Sequence, residues 1–284
     1  MTYGIIIFKE VKMFKTNKII KIAAFTLAEV LIVVGIIGII AELVMPGLIA
    51  NTEKQIFVTK LKKAYASFNE ILNNVAVDSG CPGDLSCFIK TTSSTEEFSA
   101  AVKEELNIIA KQFKTTQICR IGDRVGKCYP ETIKYNLKGT MSGYTTTTIP
   151  INIIYFVTVD GISYRVGIDD CRQKADTQHL KSVCGSVEID VNGLKPPNMY
   201  GRDVFVYYIT NGAGPLLYPM GGKEFEYNSS TLLGYWGGAG GHPGCCGNTE
   251  TEAKNGENET DENWIGVGYC CAARIMEKGW TMDY

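Results

Sequence analysis

Glu29 is a carboxylate placed in the wrong solvent. Apolar residues run with few breaks over 22–49, within "KIAAFTLAEVLIVVGIIGIIAELVMPGLI", and Glu29 lies near the start of that run. An acid at mid-depth in a bilayer costs about 2.5–3.5 kcal/mol on insertion scales. Such a residue persists when a cation answers it, so the chemistry on offer is ion pairing. The alternative is a glutamate near enough to the interface to snorkel into water. Gly35, Gly38 and Pro46 stand in the same stretch. Glycine costs about 1 kcal/mol in a helix interior and proline about 3, and proline also removes a backbone donor. These residues read either as weak points in a helix or as small residues that let helices approach closely. Glu42 is a second acid in the run, and no role for it is legible.

Ten cysteines are the second candidate set: Cys81, Cys87, Cys119, Cys128, Cys171, Cys184 and the doublets Cys245-Cys246 and Cys270-Cys271. There is no C-x-x-C, and His179 and His242 stand at no ligand spacing, which disfavours zinc and thioredoxin-like redox chemistry. An even count downstream of a membrane segment fits disulfides in an oxidising compartment. A short closure such as Cys81 to Cys87 suits this set, and each doublet is expected to reach two partners. Connectivity is otherwise open. Catalytic signatures are missing: no H-E-x-x-H, no G-x-S-x-G, no phosphate-binding glycine loop. Asp169-Asp170 reads as a solvated turn, and His242 in "GGHPGCCG" as part of a loop closed by disulfides. The chain does not read as an enzyme.

The elements that position these residues follow from hydropathy and charge. Residues 22–49 can cross a hydrocarbon core of about 30 Å at about 1.5 Å per residue. Residues 1–24 hold Lys9, Lys12, Lys15, Lys18 and Lys21 against one acid, Glu10, so this end is expected to stay in the cytoplasm. The remainder then lies outside, in agreement with the cysteines. The net charge of the whole is −2, and the excess of acids falls after residue 24, which argues against nucleic acid as a partner of the main body. Beyond Pro46 the pattern turns amphipathic: Ile56, Leu61, Ala64, Tyr65, Phe68, Leu72 and Val75 recur at three- and four-residue steps. Lys54, Lys60, Lys62, Lys63 and Glu70 lie between them. The helix is expected to end near Asp78-Ser79-Gly80, and residues 25–78 would span about 80 Å if continuous.

The small pair Ala23-Ala24 precedes the apolar run, whereas a secretory signal is cut after its apolar core. A basic leader, a small residue, the run Phe25-Thr26-Leu27-x-Glu29 and a long apolar helix together resemble the class III signal of type IV pilins and type II secretion pseudopilins. That family usually has Gly where Ala24 stands. The resemblance implies a prepilin peptidase that cuts between Ala24 and Phe25 and methylates the new amine of Phe25. It makes Thr26, Leu27, Glu29, Gly35, Gly38 and Pro46 an assembly segment, in which the ammonium of one subunit sits against Glu29 of a neighbour. It also implies that the stretch before Pro46 partly unwinds in a fibre. The implied partners are other pilin or pseudopilin subunits, the peptidase, an inner-membrane assembly platform and lipid. The in-frame Met13 begins "MFKTNKIIKIAA", closer to the short leaders of the family, and is predicted as the true start.

The rest is expected to be a disulfide-rich α+β head over residues 81–284, after a leader (1–24), a transmembrane and assembly helix (25–49) and an amphipathic continuation (50–80). Ser94 with Glu97 reads as a capping box opening a helix through "TEEFSAAVKEELNIIAKQF". "INIIYFVTV", the turn pair Asp160-Gly161 and "ISYRVGI" form the clearest hairpin, with Ile162, Tyr164, Val166 and Ile168 on one face. "SVEIDV" and "DVFVYYIT" read as a second strand pair, residues 211–248 and 250–263 as loops, and "GYCCAARIMEKGW" as a short helix stopped by Gly279. An antiparallel sheet packed on the second half of the long helix is the simplest arrangement, and it is pilin-like.

"DVNGLKPPNMYGRDVF", residues 190–205, resembles a segment that recurs in pseudopilin-like proteins, with Asp190, Asn192, Gly193, Lys195, Pro197, Asn198, Gly201, Asp203 and Phe205 matching. Some pseudopilins hold calcium in C-terminal loops, and Asp190, Asn192 and Asp203 offer oxygens. Calcium takes six to eight of them and the EF-hand spacing is missing, so a structural turn is the favoured reading. Function is expected to be assembly: a cleaved, methylated subunit of a type IV pilus or type II secretion pseudopilus in the bacterial inner membrane. The alternative is an anchored extracytoplasmic binding module, an adhesin or DNA-uptake tip, for which the aromatics of "GYWGGAGGH" would serve.

Overall fold

The computed structural model of the protein describes residues 26–89, 95–134, 137, 142–144, 149, 152–173, 182–211, 216–222, 246 and 268–284. The chain divides into two compact units, Met1–Ile49 and Ala50–Tyr284, and the boundary falls within helix α1, Leu27–Asp78. In the first unit α1 is long and apolar enough to cross a membrane, and none of its most apolar window is buried in the protein. Leu31, Ile32, Val34, Ile37 and Ile40 are among its exposed side chains. The helix continues through Pro46, although proline has no N–H to offer the carbonyl of Glu42 four residues earlier.

In the second unit the same helix becomes amphipathic. Phe57, Val58, Leu61, Ala64, Phe68, Ile71, Leu72, Val75 and Ala76 are buried, the stripe expected of a helix laid on a core. Its end is a Schellman motif: Gly80 sits at φ 86° and donates to Val77 O, and Cys81 N donates to Ala76 O. Helix α2 (Thr95–Gln112) follows. The other elements are strands β1 (Thr115–Cys119), β2 (Thr132–Lys134), β3 (Ser142–Tyr144), β4 (Ile153–Thr158), β5 (Ser163–Gln173), β6 (Ser182–Asp190), β7 (Val204–Asn211) and β8 (Leu217–Pro219), then helix α3 (Cys271–Glu277). Six strands form one antiparallel sheet in the order β1-β4-β5-β6-β7-β8, and β2 pairs with β3 apart from it. The layout is α+β, a long apolar N-terminal helix followed by an antiparallel sheet.

Both expected strand pairs are present, with two differences. The β4–β5 loop has three residues rather than two: Thr158 N reaches Ile162 O, and Gly161 donates to Thr158 O from a left-handed φ of 78°. That is the three-residue hairpin with glycine last. Strands β1, β2, β3 and β8 are short and were not legible as strands. The capping box at Ser94 and the loops over 223–245 and 250–263 lie outside the described residues.

Register sorts the side chains into two faces. Phe156, Tyr164, Ile189 and Phe205 are cross-strand partners in one row, and Ile154, Val166, Val187 and Tyr207 in the next. This face meets α1. The Phe68 ring lies 5.9 Å from Tyr164 and 5.5 Å from Phe113, and Tyr65 lies 5.4 Å from Tyr207. Phe68 is fully buried at the centre of this aromatic cluster. Phe68→Ala is therefore expected to cost about 3–5 kcal/mol, read as a lower denaturation midpoint. A cost below ~1 kcal/mol would mean that these rings do not form the core.

The opposite face is polar yet also covered. Tyr155, Arg165, Glu188 and Val206 form one of its rows. Arg165 pairs with Glu188 at 2.9 Å, and Glu188 also accepts from Tyr129 Oη at 2.7 Å and Tyr200 Oη at 2.9 Å. Burial works against the Arg165 charge, but Glu188 together with Tyr155 and Tyr129 outweighs it and holds the guanidinium above its usual value. Burial also raises the Tyr129 phenol, with Glu188 adding to the effect. The segment carrying Tyr129 and the turn carrying Tyr200 are joined to each other, Lys134 N donating to Asn198 O and Tyr200 N to Lys134 O.

Four lysines of α1 tie the helix to different parts of the second unit. Lys54 donates to the Tyr284 carbonyl, Lys60 to Val191 O at 3.1 Å, and Lys63 to Asp160 at 2.9 Å. Lys62 lies over the Trp280 ring at 5.7 Å. Helix α3 closes on a second Schellman motif: Gly279, at φ 66°, donates to Met276 O and Trp280 to Ile275 O. Its Arg274 is buried, paired with Asp283 at 2.8 Å and donating to Cys246 O at 2.7 Å.

Candidate functional site

Two stretches hold the candidate residues, one in each unit. In the first, Ala24 and Phe25 lie outside the described residues, as do residues 1–23. Thr26 is the N-cap of α1, and Glu29 stands at the third helical position. Thr26 N and Oγ1 both donate to Glu29 Oε2 at 2.8 Å, and Glu29 N donates back to Thr26 Oγ1 at 3.2 Å. This reciprocal pair is a capping box, which satisfies two amides that a helix start leaves without partners. The spacing T-x-x-E is its signal in the sequence. The Glu29 carboxylate thus has a local partner, and Oε1 lies outside the box. Leu27, Gly35, Gly38 and Pro46 are exposed on the helix, and a Cβ at Gly35 or Gly38 meets nothing within 4 Å. Among the described residues nothing in the packing requires glycine at either place.

In the second unit, residues 190–205 join β6 to β7 as a hydrogen-bonded turn, buried at Asp190, Gly193, Gly201 and Asp203 and exposed over residues 194–196. Asp203 accepts from Asn198 N at 2.9 Å and Met199 N at 2.7 Å, one amide on each carboxylate oxygen. Asp190 Oδ1 accepts from Asn192 N at 3.2 Å, and Asn192 Nδ2 donates to Pro196 O at 3.1 Å. Gly193, Asn198 and Gly201 adopt left-handed φ values of 70°, 48° and 81°. A Cβ at Gly193 would stand 2.7 Å from Gly161 O, and one at Gly201 2.7 Å from Cys271 Sγ, so glycine is required at both. The Pro196–Pro197 peptide is cis. Phe205 sinks into the core. The turn residues thus act on their own backbone.

The acids of this turn are strongly perturbed. Burial and the nearby Asp203 carboxylate push Asp190 well above the usual carboxylate range, against the pull of the Asn192 and Gly193 amides and of Lys60. Burial lifts Asp203 to about 6, against the amides of Met199 and Asn198. Among the described residues no three of His, Cys, Asp and Glu gather as a metal site.

The cysteines are paired. Cys81 joins Cys87, Cys119 joins Cys128, and Cys246 joins Cys271, with Cα–Cα separations of 5.9, 6.1 and 5.0 Å. Cys184 and Cys270 are also disulfide-bonded. One bridge therefore connects the two doublets. Cys245, the Cys171 side chain, His179, His242 and "GYWGGAGGH" lie outside the described residues.

Comparison with protein-family models, with curated proteins and with solved structures finds no match in any of the three.

Proposed function

We propose that this chain is a prepilin-like structural subunit, inserted with its N terminus in the cytoplasm, trimmed after Ala24, methylated on Phe25 and assembled through residues 25–49 into a type IV pilus or type II secretion pseudopilus. The observation that carries this reading is the start of α1. A Thr26–Glu29 capping box opens an apolar helix that is exposed over Leu27–Ile49 except at the half-buried Ala41, and then becomes the spine of a disulfide-bonded α+β head. A plain anchor needs neither the acid nor the small residues. A subunit that must leave the bilayer and pack beside copies of itself has a use for both. The inner membrane is the compartment this route implies, with the head outside it.

Expressing the chain with a prepilin peptidase and sequencing the mature N terminus tests the reading. The expected product begins at a methylated Phe25. Material that keeps its lysine-bearing leader in the presence of active peptidase would remove the basis for assembly.

A further inference from the structure

Three lysines line one cleft of the second unit. It holds about 330 Å³ between β1, the β4–β5 turn and the β6–β7 turn, with Lys60, Lys127 and Lys195 on its wall. Separate constraints bring them there. Lys60 projects from α1, where its ammonium donates to Val191 O and keeps two further protons to give. Lys127 ends the short helical turn Val125–Lys127, and the next residue, Cys128, is bonded to Cys119 at the end of β1. Lys195 belongs to the β6–β7 turn, whose backbone at Gly193 packs directly on the Gly161 carbonyl of the β4–β5 turn.

The positive charge of this cleft is largely unanswered. Asp160 is the one acid described on its lining, and Lys63 already pairs with it at 2.9 Å. Lys60 also acts on Asp190, but burial and the Asp203 carboxylate favour that acid in its neutral form. Among the described residues no acid stands within ion-pair distance of Lys127 or Lys195. A second observation comes from the cleft's wall. Ser163 lies on it and is fully buried, and its Oγ has no hydrogen-bond partner. Buried hydroxyls without partners are rare and costly, and this one would donate to an acceptor brought in from outside. We propose that the cleft binds a phosphate group, held by the ammonium groups of Lys60, Lys127 and Lys195 and by the hydroxyl of Ser163. Lysine meets phosphate as a point charge, and three such charges exceed what a single carboxylate can answer. Leu194 is exposed beside Lys195, and Lys60 follows shortly after the apolar run ends at Ile49. Apolar and cationic side chains so combined suit the surface of an anionic membrane, which makes a phospholipid headgroup the favoured source. A soluble phosphate monoester offers the same chemistry.

The test uses the whole chain and does not depend on cleavage or assembly. In non-ionic detergent and phosphate-free buffer, calorimetry with glycerol 3-phosphate should show one saturable site, and acetate at equal ionic strength should show none. Lys127→Gln and Lys195→Gln, both at exposed positions, should each weaken binding by about tenfold. Ser163→Ala removes a buried hydroxyl that has no partner, so it should fold, melt no lower than the parent and still bind less tightly. In nanodiscs, phosphatidylglycerol should protect Lys127 and Lys195 from acetylation, while the exposed Lys103 of α2 stays reactive. Such protection assigns the cleft to lipid, and glycerol 3-phosphate binding without it assigns the cleft to a soluble ligand. Neither heat nor protection, acetate binding as tightly as the phosphate, or lysine variants that bind like the parent would overturn the proposal.

Discussion

Glu29→Gln is expected to abolish incorporation into fibres while leaving membrane insertion and helix α1 intact. Glutamine serves the capping box nearly as well as glutamate, so the Thr26 amide keeps its acceptor and the helix start survives. What glutamine lacks is the charge. If the ammonium of one subunit is neutralised by Glu29 of the next, the substitution leaves a cation unanswered in a low-dielectric bundle. Breaking such a pair costs about 3–5 kcal/mol, equivalent to about 10²- to 4 × 10³-fold in association at each contact. Over a fibre of many contacts this amounts to no fibre. Glu29→Ala should do the same and also loosen the first turn. The measurement is the amount of sheared or sedimented fibre against total cleaved subunit. Normal fibre yield from the glutamine variant would mean that Glu29 is only a cap, and the anchored-module reading would then be the better one.

Asp203→Ala is expected to destabilise the head by about 3–5 kcal/mol. Its two oxygens each accept one backbone amide, from Asn198 and Met199, inside a turn with no solvent access at the acid. Alanine leaves both donors buried without acceptors, at about 1–3 kcal/mol apiece. The urea midpoint should fall by ~1 M or more. Asp203→Asn retains one acceptor and should fall between the parent and the alanine variant. An alanine variant as stable as the parent would show that the β6–β7 turn does not hold the head together.

The long helix, its amphipathic half, its stop at Gly80, the α2 region and both central strand pairs were legible from periodicity and turn residues. Strong local signals and tertiary packing agreed in each of them. The covered second face of the sheet was not legible, and the reason is chemical. Tyr155, Arg165 and Glu188 alternate with apolar partners, which is how a solvent-facing strand reads. Only the long-range contacts of Tyr129 and Tyr200 with Glu188 reveal that this face is closed. At the candidate segment, the apolar run makes Glu29 stand out by its charge and masks the T-x-x-E spacing that ties it to Thr26. In the 190–205 segment a structural turn was legible. The inward aim of the two aspartates depends on strand register, which composition does not carry.

The lysines along α1 have a mechanical consequence. Any tension drawn through the helix enters the head by way of Lys54, Lys60, Lys62 and Lys63, which grip the chain at Tyr284, Val191, Trp280 and Asp160. These grips lie on three separate segments, the C-terminal stretch taking two of them, and the buried aromatic stripe lies alongside them. A pull is thus shared as shear across several attachments in parallel. The loop closed by Cys81–Cys87 follows the α1 terminus and is tied to β7 by Leu85 N donating to Asn211 Oδ1, so a rupture would have to slide the whole spine out of its seat instead of peeling one strand at a time.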